Sequence, residues 1–303
     1  MNAKIITAFF VIWTLAQPPS FAQSPTLTQT NSFAFCDYSQ GKVFVMKDGK
    51  LVWEHPAPES NDIWVLPNGN ILFTTGKGVL EMTLGYDTVF CYQSTSSIFA
   101  CQRLKNGNTF IAECNAGRLL EVTPEGKIVS ETCILPDSVR NAGHAFMRNA
   151  RKLENGNYLV AHYGPEKVTE YNVKGEIVCS FDTPGGAHSV ARLPNGHTMV
   201  SVADKKKDSH IVEFDIKGNV VWSLSNEDFT GEPFKFLGGF QYFADGTIAV
   251  TNWLGHGKEG TSAHLFIINK EKKEILSKIE SIEGVKTFSS IYFIDVDNSV
   301  FYH

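Results

Sequence analysis

Histidine and arginine residues near the starts of predicted strands are the side chains best suited to chemistry in this sequence. His144 follows Ala142-Gly143, His188 follows Gly185-Gly186-Ala187, and Arg148 lies in the same stretch as His144. An imidazole can act as a nucleophile, a general base or a neutral metal ligand. His144 and His188 are therefore the candidate catalytic residues if the protein is an enzyme. Hydrogen bonding of the two rings to loop backbone is the alternative interpretation.

A second set of polar and aromatic residues ends predicted strands or opens loops. Glu113 and His162 could form an acid–base pair, or could cap the strand ends. Asn252 and Trp253 open the longest predicted insertion, 252–260, where the indole could stack on a sugar or aryl ring or pack beneath its own loop. The candidate ligand-binding residues are Arg148, Glu113, His162, Asn252, Trp253 and Asn61. We assign no cofactor, because zinc, phosphate-loop and calcium-loop spacings are missing from the sequence.

The elements that must position these residues come from an internal repeat of about 40 to 50 residues, a period typical of propellers and solenoids. Asn-Gly and Asp-Gly pairs tolerate the positive φ of a two-residue hairpin turn. Each is followed by a short apolar strand, and these turn anchors are Asn68-Gly69, Asn106-Gly107, Asn155-Gly156, Asn195-Gly196 and Asp245-Gly246. Four strands recur per unit with no amphipathic helix between them. This pattern predicts an all-β propeller of four-stranded antiparallel blades.

Five units are complete, at roughly 57–98, 99–143, 144–186, 187–236 and 237–290. The ends supply a sixth, since Phe33–Asp37, Lys42–Met46 and Lys50–His55 resemble second, third and fourth strands and Ser290–Asp295 resembles a first strand. Joining them closes the ring and hides two edge strands. We predict six blades. Ser299–His303 resembles a spare second strand, which could extend the closing blade or belong to a seventh sheet.

In a propeller the first strand lines the channel, and the loops before it and after the second strand form one rim. Counting from the turn anchors gives two sets of rim positions, Asn61, Phe99, Arg148, His188 and Gly238, and Thr75, Glu113, His162, Val202 and Asn252. The third strands repeat a glutamate at Glu81, Glu121, Glu170 and Glu213. A residue repeated in every blade favours a structural role over a site. Trp53 and Trp222 are predicted to pack between blades.

The N-terminus has the pattern of a signal peptide, with Lys4, the apolar run 5–16 and small residues before Gln23. We predict a signal peptide at 1–22, a linker at 23–32 and the propeller at 33–303, and a periplasmic or secreted protein with no membrane span after cleavage. The net charge of -5 argues against a nucleic-acid partner. The six cysteines are predicted to be buried free thiols, because a chain of this size does not need a disulfide framework.

The motif Leu-Pro-Asn-Gly, then Val-Glu-Phe-Asp, then Lys-Gly-Asn-Val-Val-Trp within 187–224 resembles the arylsulfotransferase-like and quinoprotein-like propeller repeats of exported bacterial proteins. For arylsulfotransferases the resemblance implies a six-bladed propeller with a sulfated histidine and sulfate-binding histidine and arginine residues at the channel mouth. His144, His188 and Arg148 are the comparable positions. This chain offers fewer channel histidines, and it lacks the eight blades and tryptophan-docking motif of quinoprotein dehydrogenases.

Two functions from different classes follow. The first is an exported binding protein that holds a small polar or glycan-like ligand at the channel mouth, or docks a protein at the rim. The second is a channel-mouth enzyme with catalytic histidines, acting by sulfuryl transfer or as a sugar lyase or hydrolase. A metal site built from His144, His188 and His162 is a further possibility, which requires three nitrogens about 2 Å from one point. Convergence of His144, His188 and Arg148 would favour the enzyme.

Overall fold

Each Asn-Gly or Asp-Gly turn joins the first two strands of an antiparallel sheet, and all five turn glycines have positive φ, between 82° and 88°. The computed structural model describes residues 27–28, 30–136, 138–139, 141–203, 210–231, 233–294 and 301–303. These residues form six sheets, which we number as blades in chain order. The prediction of a six-bladed propeller is confirmed, and the described residues form no seventh blade.

Blade 1 is built from both ends of the chain and the other blades from consecutive strands. Its strands are β1 (Phe33–Asp37), β2 (Lys42–Lys47), β3 (Lys50–Pro56) and β24 (Ser290–Phe293). Blades 2 and 3 contain β4 (Ile63–Val65), β5 (Ile71–Thr74), β6 (Gly78–Met82), β7 (Thr88–Gln93), β8 (Ile98–Arg103), β9 (Thr109–Glu113), β10 (Arg118–Val122) and β11 (Ile128–Cys133).

Blades 4 and 5 contain β12 (Asn149–Lys152), β13 (Tyr158–His162), β14 (Lys167–Tyr171), β15 (Ile177–Asp182), β16 (Gly186–Arg192), β17 (Thr198–Ala203), β18 (His210–Phe214) and β19 (Val220–Leu224). Blade 6 contains β20 (Leu237–Phe243), β21 (Thr247–Asn252), β22 (Leu265–Asn269), β23 (Glu274–Ile279) and β25 (Phe301–Tyr302). In the described residues the one helix is a 3-10 turn at Asn226–Asp228.

The ring closes through antiparallel pairing of β1 with β24, in register from Phe33 opposite Phe293 to Cys36 opposite Ser290. Aromatic side chains bury this joint. The Phe33 and Phe293 ring centroids lie 5.3 Å apart, and Phe35 stacks on Phe288 at 4.2 Å. This pairing covers the edges of β1 and β24 that face each other, so neither of these two edges is left open inside the ring.

The spare strand predicted at 299–303 joins blade 6 through its residues Phe301–Tyr302. Phe301–Tyr302 pairs with β20, the innermost strand of blade 6, with Tyr302 opposite Tyr242. The prediction that this segment extends blade 1 or begins a seventh sheet is therefore wrong. The reason is that the inner edge of β20 offers unpaired backbone groups to the channel, which a two-residue strand can satisfy. Residues 295–300 lie outside the described residues.

The third-strand glutamates join neighbouring blades, which agrees with the structural role that their repetition predicted. In blade 4, Oε1 of Glu170 accepts from Asn157 Nδ2 at 2.6 Å, and Oε2 accepts from Arg192 of blade 5 at 2.6 Å. Glu81 makes the same contacts with Asn70 and Arg103, Glu121 with Asn108 and Lys152, and Glu213 with His197 and Lys270. We call each such contact a glutamate latch, since it ties a turn of one blade to a cation of the next.

The cysteines and termini follow the sequence predictions in part. All six cysteines are free, but only Cys36, Cys101 and Cys114 are buried, whereas Cys91 and Cys133 are exposed and Cys179 is half-buried. Leu27 and Ser32 of the predicted linker are buried against the propeller. The predicted signal peptide lies outside the described residues. Among the described residues, no helix has the length and apolarity needed to cross a membrane.

Glu170→Ala should lower the free energy of unfolding by about 2 kcal/mol, because it leaves Arg192 and Asn157 without their shared acceptor in a partly buried place. The measurement is urea unfolding followed by circular dichroism. Glu54→Ala removes the solvent-exposed pair with Lys42 and is the matched control, expected to change stability by less than about 1 kcal/mol. Equal losses in the two variants would contradict a structural role for the latch.

The latch of Glu121 should make stability fall in acid. Burial alone would raise the pKa of this carboxyl, but hydrogen bonds from Lys152, Asn108 and Asn106 lower it to about 2. The stabilisation is therefore present above the ordinary glutamate pKa and is lost as the pH falls towards 2. We expect Glu121→Gln to flatten the fall in unfolding free energy between about pH 4.5 and 2.5. An unchanged slope in the variant would refute this assignment.

Candidate functional site

Arg148 lies at the channel mouth, just before β12. Its backbone N–H donates to the Ala161 carbonyl at 2.9 Å, which fixes the residue against the next strand. The guanidinium carbon lies 4.6 Å from the centroid of the Phe99 ring and 5.6 Å from that of Tyr163. Such distances allow cation–π attraction. Residues of blades 3 and 4 thus hold the cation between two aromatic faces.

Further aromatic rings extend this arrangement across the mouth. Tyr163 stacks on Phe236 with centroids 6.1 Å apart, and Phe236 contacts His188 at 5.5 Å and Trp253 at 4.9 Å. Tyr38 completes the arc by an edge contact with Trp253 at 5.4 Å. We call this set the mouth cluster: Arg148, Tyr38, Phe99, Tyr163, His188, Phe236 and Trp253. Its members come from blades 1, 3, 4, 5 and 6.

Asn252 positions the part of the cluster that blade 6 supplies. Its Oδ1 accepts from the backbone N–H groups of Lys235 at 2.9 Å and Phe236 at 3.0 Å, and its Nδ2 donates to the Ala263 carbonyl at 2.9 Å. The Trp253 N–H donates to the Phe236 carbonyl at 2.8 Å. Because the Asn252 amide is fully buried and used in these bonds, it orients Phe236 and Trp253 rather than contacting a ligand itself.

His188 is held as a neutral imidazole beneath the mouth. Burial, with a smaller contribution from the Arg148 charge, lowers its pKa to about 3. Only 7% of the residue is exposed. At neutral pH the ring therefore carries no charge, and one nitrogen is a hydrogen-bond donor while the other is an acceptor. A group with so low a pKa is a weak base.

Three buried nitrogens of the mouth cluster have no hydrogen-bond partner among the described residues. They are Nε of Arg148, Nδ1 of His188 and Nε1 of Trp253. Buried polar atoms in proteins are nearly always bonded, so an unpaired one calls for a water, an ion or a ligand. Nε and Nε1 are donors, and Nδ1 can be either donor or acceptor. The cluster can therefore receive oxygen atoms.

Burial and Glu59 raise the pKa of Tyr38, and the charge and hydrogen bond of Arg148 oppose part of that rise. Tyr38 thus stays a neutral phenol beside the cation. Among the seven members of the mouth cluster the only formal charge at neutral pH is that of Arg148. Its electrostatic character is positive, which favours anionic or strongly polar ligands.

Of the predicted catalytic and ligand-binding residues, Arg148, His188 and Trp253 belong to the mouth cluster. The structure places the others outside it. His144 is exposed. Glu113 accepts from Tyr92 Oη and from Arg118, both at 2.8 Å. His162 uses Nδ1 with the Phe146 carbonyl at 2.9 Å and Nε2 with Tyr171 Oη at 3.1 Å, and burial lowers its pKa to about 4. Each residue of the predicted acid–base pair thus has its own partners.

Asn61 also bonds locally, since Nδ2 donates to the Glu59 carbonyl at 2.9 Å. In the described part of the chain, no group of three or more histidine, cysteine, aspartate or glutamate side chains could hold a metal ion. Two cavities, of about 260 and 380 Å³, are lined by residues other than those of the mouth cluster.

A buried ion pair inside the channel was missed by the sequence analysis. Arg151 binds Asp62 through both terminal nitrogens, at 2.7 and 3.0 Å, and its Nε donates to the backbone oxygen of His303 at 2.8 Å. His303 Nε2 lies 3.3 Å from Asp62 Oδ1. Burial alone would raise the pKa of Asp62, but Arg151 and His303 outweigh it and lower the pKa. The available signal was Arg151 itself, a charged residue within the short first strand Asn149–Lys152.

No protein-family model matches this sequence, and no curated protein matches it. Among solved structures, a protein of unknown function from Bacteroides caccae is 24% identical, with a TM-score of 0.77 over 88% of this chain and 100% of that one. A streptogramin B lyase is 14% identical, with a TM-score of 0.59 over 88% of this chain and 87% of the lyase.

A catalytically inactive variant of virginiamycin B lyase from Staphylococcus aureus, determined with quinupristin, is 15% identical, with a TM-score of 0.57 over 87% of this chain and 90% of that one. None of these three is described as an arylsulfotransferase, so that resemblance stays a prediction. Identities this low are informative about architecture alone. By these comparisons the chain is similar to other proteins in its β-propeller fold.

Proposed function

We propose that the protein binds a small ligand at the channel mouth, and that the ligand carries an anionic or oxygen-rich group beside a flat ring. The observation that carries the proposal is the set of three unpartnered buried nitrogens, on Arg148, His188 and Trp253, within one aromatic cluster. Ligand oxygens would satisfy the Arg148 and Trp253 donors, since each of these nitrogens carries one N–H.

The aromatic side chains of the mouth cluster are the reason for proposing a ligand with a flat ring. Phe236 and Trp253 are in contact at 4.9 Å, and Tyr163 stacks on Phe236, so a continuous aromatic surface borders the cation. Such surfaces bind sugar and aryl rings by burying an apolar face. The positive charge of Arg148 adds selectivity for carboxylate or sulfate over a neutral polar group.

Binding is favoured over catalysis by the state of the two predicted catalytic histidines. A pKa of about 3 makes His188 a poor general base at neutral pH, because efficient bases have a pKa near the working pH. His144 is exposed and is not a member of the mouth cluster. The lyases among the structural neighbours share the fold, which does not carry activity.

We further propose that this binding takes place outside the cytoplasm. The support is the sequence pattern of residues 1–22, in which a lysine precedes an apolar run and small residues precede Gln23. A periplasmic or secreted binding protein would meet its ligand directly in the surrounding medium.

Arg148→Gln should weaken binding of 4-nitrophenyl sulfate and 4-nitrophenyl β-glucuronide at least about tenfold, since a charge-assisted hydrogen bond to an anion is lost. The measurement is calorimetric titration, with the neutral 4-nitrophenyl β-glucoside as the matched ligand. Lys258→Gln, which removes an exposed charge from the same loop as Trp253, should leave both affinities unchanged.

No binding of either anion by the wild-type protein would overturn the proposal, as would equal affinities in the Arg148 and Lys258 variants. The same ligands test the enzyme hypothesis, because cleavage releases 4-nitrophenolate, which absorbs visible light. If the wild-type protein releases 4-nitrophenolate steadily and the His188→Asn variant does not, the protein is an enzyme and not only a binding protein.

The affinity for the anionic ligand should be constant between about pH 5.5 and 8. With a pKa near 3, His188 remains neutral over this range, whereas an ordinary histidine titrates near 6.5. Calorimetry at four pH values checks this expectation. A change in affinity centred near pH 6.5 that disappears in His188→Asn would show that the imidazole titrates as an accessible group.

A further inference from the structure

The glutamate latch departs from its repeat at the interface between blades 5 and 6. In the three preceding interfaces the cation stands three residues before the turn asparagine, on the first strand of the next blade, at Arg103, Lys152 and Arg192. Blade 6 has Tyr242 at this position, three residues before Asp245. Opposite the latch glutamate, blade 5 has Trp222, where blades 2, 3 and 4 have Phe90, Ser130 and Cys179.

Lys270 supplies the missing cation from the turn between the third and fourth strands of blade 6. Its Nζ lies 2.5 Å from Oε2 of Glu213 and 5.6 Å from the ring centroids of both Trp222 and Tyr242. The Trp222 indole donates to the Lys270 carbonyl at 3.1 Å. The latch is therefore kept, with aromatic side chains at both of these positions, whereas the other three interfaces have an aromatic side chain at one of them, Phe90, or at neither.

Beside Tyr242, which replaces the first-strand cation of the other blades, lies a cavity of about 380 Å³, which we call the blade 5–6 groove. Its walls include Trp222, Tyr242, Asp245, Asn269, Lys270 and Glu271. The volume falls in the range of small-molecule sites. The groove is formed around the turns between first and second and between third and fourth strands, at the end of the propeller opposite the mouth cluster.

We propose that the blade 5–6 groove binds a neutral saccharide. A pyranose ring presents an apolar face for aromatic side chains and hydroxyls for polar ones. Asp245 and Asn269 each use Oδ1 to accept a backbone N–H, at 2.9 Å, so the second carboxylate oxygen and the amide nitrogen are left for hydroxyls. Glu271 is exposed at the same edge.

The charges of the groove argue against a cationic ligand and against an anionic one. A cationic ligand would meet Lys270, whose ammonium already occupies the position between the aromatic rings and beside Glu213. An anionic ligand would meet the carboxylates of Asp245 and Glu271. A neutral polyol uses donors and acceptors of both kinds without a charge penalty.

The test is titration of ¹⁵N-labelled protein with glucose, galactose, N-acetylglucosamine and cellobiose, observed at the indole N–H of Trp222. That resonance is assigned by its loss in Trp222→Phe. We expect at least one of these saccharides to shift it in a saturable manner. Tyr242→Arg restores the cation of the other blades and fills the groove, so it should weaken binding about tenfold or more while the melting temperature stays within a few degrees of wild type.

Asp245→Asn removes a carboxylate but keeps the Asn-Gly turn found in four other blades, and should weaken binding several-fold without affecting folding. Arg148→Gln, at the mouth cluster, should leave the Trp222 shift unchanged, which separates this site from the mouth. No saturable shift with any of the four saccharides up to about 20 mM would overturn the proposal, as would equal binding by wild type, Tyr242→Arg and Asp245→Asn.

Discussion

The pairing of β1 with β24 is the interaction on which the rest of the structure depends. A four-stranded blade has two faces to cover, and in a closed ring each blade covers its neighbours. The joint brings residues 33–37 against 290–293, and stacked phenylalanines remove it from water. Only with this closure do first strands of all blades point at one axis, which gathers Tyr38 of blade 1 and Trp253 of blade 6 into the same cluster.

Turn chemistry made the blades predictable from sequence, because each Asn-Gly or Asp-Gly pair marks a hairpin independently of distant contacts. β25 was misplaced because a two-residue strand has no pattern of its own and its partner lies across the channel. At the site, Arg148 and His188 were found from their distance to the turns, and Trp253 from the long insertion in which it lies. Tyr38, Tyr163 and Phe236 were not, since they stand in loops whose direction only the ring determines.

Asymmetry within the repeat distinguishes positions that have a structural explanation from positions that we propose to form a site. Glu81, Glu121 and Glu170 bond to the equivalent asparagine of their own blades, so hydrogen bonding explains why a glutamate recurs at this position. Tyr242 and Trp222 break that regularity, and a cavity lies beside them. Asp62 and Arg151 were missed because the sequence count followed one position per blade, Asn61 and Arg148 in these two blades, and the ion pair lies one and three residues beyond those positions.

Side chains and strand β25 inside the channel also restrict how a molecule at the mouth could exchange with solvent. β25 lines the inner edge of blade 6, and Asp62, Arg151 and His303 are buried together inside the ring. A ligand of the proposed mouth site would then arrive and depart through the same opening. Its association and dissociation rates would be governed by motions of one set of aromatic side chains, so residence time and on-rate should respond together to substitutions at Trp253.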